Sequence, residues 1–229
     1  MPFLTQGKTN WRYILILLVL SVLVGSGALY CFQPPGIRFS EIKLPSKTKQ
    51  EKEKIADWKT YTDKENGFEI KYPINLILNE GKEAAYPSGA LFPPAYFIGE
   101  AKVRFAFPKD EFLASRNGKV RHDFSAFISI HKKKNDLSGC FSSSMNNKSL
   151  TEKEKFNNIV FYKDFWREGG AGYRYDGISY RTIHKGVCYE INLVTYWFTH
   201  FLTKEEILSY QERALKVFNQ MLPTFRFLD

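Results

Sequence analysis

The residue types best suited to chemistry sit in two places. One is "SGCFSSS", Ser138 to Ser144, a hydroxyl-rich run around Cys140. The other is "GGAGYRYDGISYRTIHKGVCYEINL", Gly169 to Leu193, which holds clustered glycines, four tyrosines, His184, Cys188 and Glu190. A thiol served by a distant histidine would be a nucleophile. A glycine-rich loop opening a helix would cradle phosphate, and spaced histidines would hold a metal.

Each pattern fails on its local context. His122, His131, His184 and His200 lie neither four apart nor near a Cys-x-x-Cys, so metal-ligand spacing is absent, and His131 and His184 read as surface residues. No G-x-S-x-G is present, and "SGCFSSS" reads as a flexible loop without a strand-to-helix elbow. "REGGAGYRY" lacks the lysine and hydroxyl of a phosphate loop and leads into a strand, so Gly169, Gly170 and Gly172 read as a flexible lead-in to a wide turn. Asp164, Glu168, Asp176 and Glu190 have no spacing that fixes an acid–base pair. No catalytic, cofactor-binding or metal-binding residue is assigned, and no cofactor is expected.

What remains for Cys140 and Cys188 is each other. They are the only cysteines beyond Cys31, and a lone pair in an exported domain is a natural disulfide. The alternative is two unrelated buried thiols. Export itself is argued by the N-terminus, where Tyr13 to Phe32 run uncharged for 20 residues, enough to cross a bilayer as a helix. An uncleaved signal anchor is the preferred reading, because the apolar run continues past Ala28. The alternative is a signal peptide with Lys8 and Arg12 as its basic region and cleavage near Ala28. Lipidation of Cys31 is excluded by Tyr30, since a lipobox requires a small residue there.

These features divide the chain into a short cytoplasmic tail (1–12), a span (13–32), a polar stalk (33–56) and an extracytoplasmic domain (57–229). Residues 32–56 carry six basic and three acidic groups, a net of +3, which leaves about +4 on the domain out of +9 overall. That excess is too thin for nucleic-acid binding. Its densest parts are Arg116, Lys119 and Arg121 in one segment and Lys132, Lys133 and Lys134 in another. If they converge, they form a patch for an anionic partner. The bland alternative is two solvated turns. Asn147-Lys148-Ser149 matches a glycosylation sequon and is expected to be unmodified.

The elements that would position these residues are mostly strands. Asn66-Gly67 marks a turn between Trp58/Tyr61 and the alternating Phe68, Ile70 and Tyr72. Val103, Phe105 and Phe107 alternate, as do Ala126, Ile128 and Ile130, and residues 158–166 follow as a further strand-like run. Ile178–Ile183 and Cys188–Leu193 read as two strands joined at "HKG". Tyr189, Ile191 and Leu193 then face the core, while Cys188, Glu190 and Asn192 face outward or toward a covering loop. Thr203 with Glu206 forms a capping box ahead of the stripe Ile207, Ala214, Leu215, Phe218, Met221 and Leu222, which Pro223 ends. Phe225 and Phe227 share one face of a short closing strand. The fold class is therefore α+β, an antiparallel sheet with helix cover.

"DWKTYTDKENGFEIKYP", with "AGYRYDGISYRT", "GVCYEINL" and "LPTFRF", resembles a family of membrane-anchored bacterial extracytoplasmic proteins with a PsbP/Mog1-like domain, over about Asp57 to Phe227. The resemblance implies an α/β/α-type sandwich around an antiparallel sheet, and binding or accessory roles without a family activity to carry over. The expected function is thus a membrane-anchored binding or accessory protein of the cell envelope, with an envelope protein or anionic polymer as partner. The alternative is an envelope hydrolase with its site at the sheet edge. Oligomeric state is not set by the sequence.

Overall fold

A computed structural model describes residues 57–84, 97–108, 114–116, 119–121, 124–135, 137–143, 145–146, 148–170, 172–198 and 202–228. The expected tail, span and stalk lie outside the described residues, as do His122 and His200. No described helix is long and apolar enough to cross a membrane.

The chain first makes a hairpin, β1 (Lys59–Asp63) and β2 (Phe68–Tyr72). Its turn is longer than the Asn-Gly pair suggested. Asp63 closes it by accepting from the Asn66 backbone N–H at 2.8 Å and its side-chain amide at 2.7 Å, and Gly67 supplies the positive φ of 72°. Then come β3 (Ile77–Glu80), β4 (Glu100–Ala106), the short pair β5 (Ala114–Arg116) and β6 (Lys119–Arg121), and β7 (Phe124–Lys133). After β8 (Lys153–Phe156) the chain folds into three long strands, β9 (Ile159–Gly170), β10 (Tyr173–His184) and β11 (Val187–Phe198). Helix α1 (Lys204–Met221) and β12 (Arg226–Phe227) complete it.

Seven strands form one antiparallel sheet in the order β3-β4-β7-β11-β10-β9-β8, and β1-β2-β12 form a second. Two of the long hairpins close through two-residue turns with both residues at positive φ: Lys185 (48°) with Gly186 (72°), and Asn157 (44°) with Asn158 (64°). Such turns twist in the same sense as the strands they join. The strands expected to join at "HKG" meet there, with His184 paired to Val187.

One face of the large sheet carries Val103, Phe105, Ile128, Ile130, Ile178, Ile191 and Leu193, all buried. The small sheet covers it with Phe68 and Ile70, and α1 with Ala214, Leu215 and Phe218. Burying each such side chain is worth about 1.5–3 kcal/mol. The helix begins with the expected capping box: Thr203 Oγ1 accepts from Glu206 N at 3.2 Å, and the Glu206 carboxylate accepts from Thr203 N at 2.7 Å. A polar tie joins helix to sheet where Gln211 donates to Asp176 at 3.0 Å, and Arg167 clamps the same carboxylate at 2.6 and 2.7 Å. The sandwich has its described helix on one face only. Among the described residues, the other face is covered by loop segments 97–99 and 137–143.

Two expectations are corrected here. Gly169 and Gly170 are not a loose lead-in but the last residues of β9, paired with Arg174 and Tyr173. A Cβ on Gly169 would meet the Arg174 side chain at 2.2 Å, so its smallness serves packing. His131 is not a surface residue. It is 2% exposed, because it alternates onto the sheet face that the loop covers.

Candidate functional site

The covered face gathers the polar residues of the domain. Register places Asp164, Ser179, Asn192 and Ser129 side by side across β9, β10, β11 and β7, with Tyr162, Arg181, Glu190 and His131 in the next row. All but Tyr162 are buried. Charge burial of this kind is costly unless every group is paired, and the pairs are present. Arg181 donates from Nε to Glu190 Oε1 at 2.7 Å, lies 3.5 Å from Asp164 Oδ2 through Nη2, and gives Nη1 to the Ser142 carbonyl. The other Glu190 oxygen accepts from the Ile98 backbone at 2.7 Å, and Ser143 donates its hydroxyl to Asp164 at 3.1 Å.

The loop that supplies Ser142 and Ser143 is the one that holds Cys140. A disulfide joins Cys140 to Cys188, with Cα atoms 6.0 Å apart and both sulfurs fully buried. The expected pairing is present, and Cys188, Glu190 and Asn192 face the covering loop. "SGCFSSS" is accordingly tethered: it forms a 3-10 turn over Leu137–Gly139 and a bridge between Ser142 and Ser149.

Ser129 and His131, which alternation puts on one face of β7, form a hydrogen-bonding pair at 3.0 Å beside Glu190. Serine, histidine and acid are the residue types of a nucleophile relay. Here the acid is engaged elsewhere, by Arg181 and Ile98, and the serine is 2% exposed. Burial pushes the imidazole below its ordinary value, against the Glu190 carboxylate and the Gly99 backbone. Phe97 stacks on His131 at 4.6 Å and meets the Trp166 edge at 5.8 Å. Beneath this cover, Ser179 Oγ and both amide atoms of Asn192 have no hydrogen-bond partner among the described residues. The arrangement can hold loops onto a sheet; it presents no reacting group to solvent. Sequence reasoning missed Arg181 and Asp164 as members, although their even spacing from Ser179 and Trp166 carried the signal.

The other expected site residues fall apart from this cluster. His184 stacks on Phe227 at 3.8 Å. Lys132 lies on the core-side face, donating to Asn66 at 3.1 Å and sitting 5.7 Å from the Tyr189 ring, whereas Lys133 projects from the opposite face. The backbones of Arg116, Lys119 and Arg121 form the β5–β6 ladder just before β7, and Lys132–Lys134 lie at or just beyond its far end, ten residues on. An open groove of about 640 Å³ lies between the β1–β2 turn, the end of β3 and the start of β4, edged by Asp63, Glu80, Glu100 and Lys102. Among the described residues, no histidine or cysteine lines it, nor does Glu190. Its Tyr61 hydroxyl is held well above the usual phenol range by burial and by Asp63 and Glu80.

No protein-family model matches the chain, and no curated protein matches it. Among solved structures, it is similar to a protein of Bacteroides thetaiotaomicron VPI-5482, at 12% identity and a TM-score of 0.36. That match covers 75% of this chain and 48% of the other, so this chain spans about half the length of that relative. It is also similar to LpqN of Mycobacterium tuberculosis, involved in cell envelope biogenesis, at 7% identity and a TM-score of 0.36, over 86% of this chain and 100% of that one. Neither likeness is close enough to assign a fold or a function.

Proposed function

We propose that the protein is a membrane-anchored, extracytoplasmic binding or accessory protein of the bacterial cell envelope. In this reading residues 13–32 anchor it, residues 33–56 form a stalk, and the domain from Asp57 onward is PsbP/Mog1-like. The observation that carries the reading is the Cys140–Cys188 disulfide. It closes a loop over a buried charge network, a construction that suits an oxidising compartment and not the cytosol. The uncharged run of Tyr13 to Phe32 supports the same side of the membrane for the domain. A binding role is favoured over hydrolysis because the groups with acid, base or nucleophile chemistry are spent on internal contacts: Glu190 on Arg181 and Ile98, Ser143 on Asp164. Its partner in this reading is another envelope protein or an anionic envelope component, drawn by the lysine- and arginine-rich segments.

Topology reporters joined after Asp229 test the placement. An alkaline phosphatase fusion is expected to be active and a β-galactosidase fusion inactive, with the Cys140–Cys188 linkage recovered by mass spectrometry without reductant. The reverse reporter pattern, or free thiols in the exported chain, would overturn it.

A further inference from the structure

The Asn157–Asn158 and Lys185–Gly186 turns and the C-terminal end of β7 lie at the same end of the large sheet. The pairings Lys155 with Val160, Ile183 with Cys188, and Cys188 with Lys133 define one row across the covered-loop face at this end. The β9–β10 ladder ends one row behind it, at Tyr162 with Arg181, and Val160 and Ile183 each lie two residues beyond that pair, on the same face of the sheet. Val160 is 45% and Ile183 38% exposed. Around them stand Lys153, Lys155 and Lys185, all exposed. Lys155 and Lys185 have no carboxylate partner among the described residues. The acids nearest Lys155 in sequence, Glu152 and Glu154, are both held by Lys163, at 2.9 and 2.8 Å, and Glu190, the nearest to Lys185, is held by Arg181 at 2.7 Å.

We infer that this end of the sheet docks on the surface of an anionic phospholipid bilayer. The lysines supply charge complementarity, each worth about fivefold in surface affinity. The two exposed aliphatic side chains choose between anionic partners. A soluble polyanion gives them nothing to contact, whereas the interfacial zone beneath a headgroup layer takes apolar side chains flanked by cations. The inference rests on the anchored reading above, in which the 24 residues from Gln33 to Ala56 span up to about 80 Å when extended and let the domain lie down on its own membrane.

The test uses the full chain in nanodiscs of phosphatidylcholine alone or of equal parts phosphatidylcholine and phosphatidylglycerol, read by hydrogen exchange at the turns Asn157–Ile159 and His184–Gly186. Exchange at both turns is expected to slow at least fivefold on the anionic discs. The K155E/K185E double variant should lose the protection, and V160S/I183S should lose most of it, each with an unchanged urea midpoint. Equal exchange on the two discs overturns the inference. So does protection gained from soluble polyphosphate on neutral discs with none gained from anionic lipid, which assigns the surface to a polymer. Failure of the anchored reading looks different: the chain then leaves neutral discs altogether, and only the anionic discs retain it.

Discussion

Replacing Arg181 with methionine keeps the bulk of the side chain but removes the cation that sits between Glu190 and Asp164. The side chains of the three residues are 1%, 0% and 5% exposed. Glu190 then keeps the Ile98 N–H as a donor while remaining sealed from water, and the Ser142 carbonyl loses its guanidinium contact. An uncompensated buried charge of this kind costs about 3–5 kcal/mol. For a folded region of this size that corresponds to a fall in Tm on the order of 10 °C. Urea unfolding followed through Trp58, Trp166 and Trp197 of the domain measures it. The triple variant R181M/E190Q/D164N removes the two carboxylates as well and should recover most of the loss, because its amides can still meet Ile98 and Ser143. A single variant within about 1 kcal/mol of the parent would refute the reasoning, as would a triple variant no more stable than the single one.

Other outcomes follow from the same structure. Opening the disulfide by C140S/C188S frees a loop of 48 residues in the unfolded chain, an entropic loss of about 4 kcal/mol, read as a lower urea midpoint that reductant no longer affects. Gly177→Ala sets a methyl group 2.0 Å from the Trp166 indole and is expected to cost more than 2 kcal/mol, about the scale of core overpacking, with a shifted tryptophan emission maximum. His131 is held below its ordinary 6.5 by burial, so the unfolded chain binds the extra proton across the interval beneath that value. Stability should therefore fall as pH drops below 6.5, and H131Q should flatten that limb of a pH–midpoint curve.

Period-two alternation made most of the large sheet readable. Val103 and Phe105, Ile128 and Ile130, and Tyr189 to Leu193 each bury the expected side. The helix was readable from Thr203 and Glu206, which fix its start by a local hydrogen-bond pattern. Strands β3 and β8 were not, since "ILNE" and "KEKF" are edge strands whose charges guard against further pairing and hide the alternation. His131 defeated local reading for a different reason. A polar residue followed by three lysines looks solvated, and only the return of residues 97–99 and 137–143 over the sheet buries it. Arg181 was legible in part: a hairpin joined at "HKG" sets it opposite Glu190, whereas Asp164 reaches it only from the strand beyond.

The fully buried sulfurs of Cys140 and Cys188 also set an order of events in time. Once the loop has closed over the sheet, neither an oxidant nor a disulfide exchange catalyst can reach them. The bond must form while the loop is still open, before Arg181 captures the Ser142 carbonyl and Ser143 settles on Asp164. A chain that folds in a reducing compartment therefore buries two thiols that later exposure to air will oxidise only as fast as the loop reopens. Material made that way would carry a free-thiol population that material oxidised during folding lacks, at identical sequence and concentration.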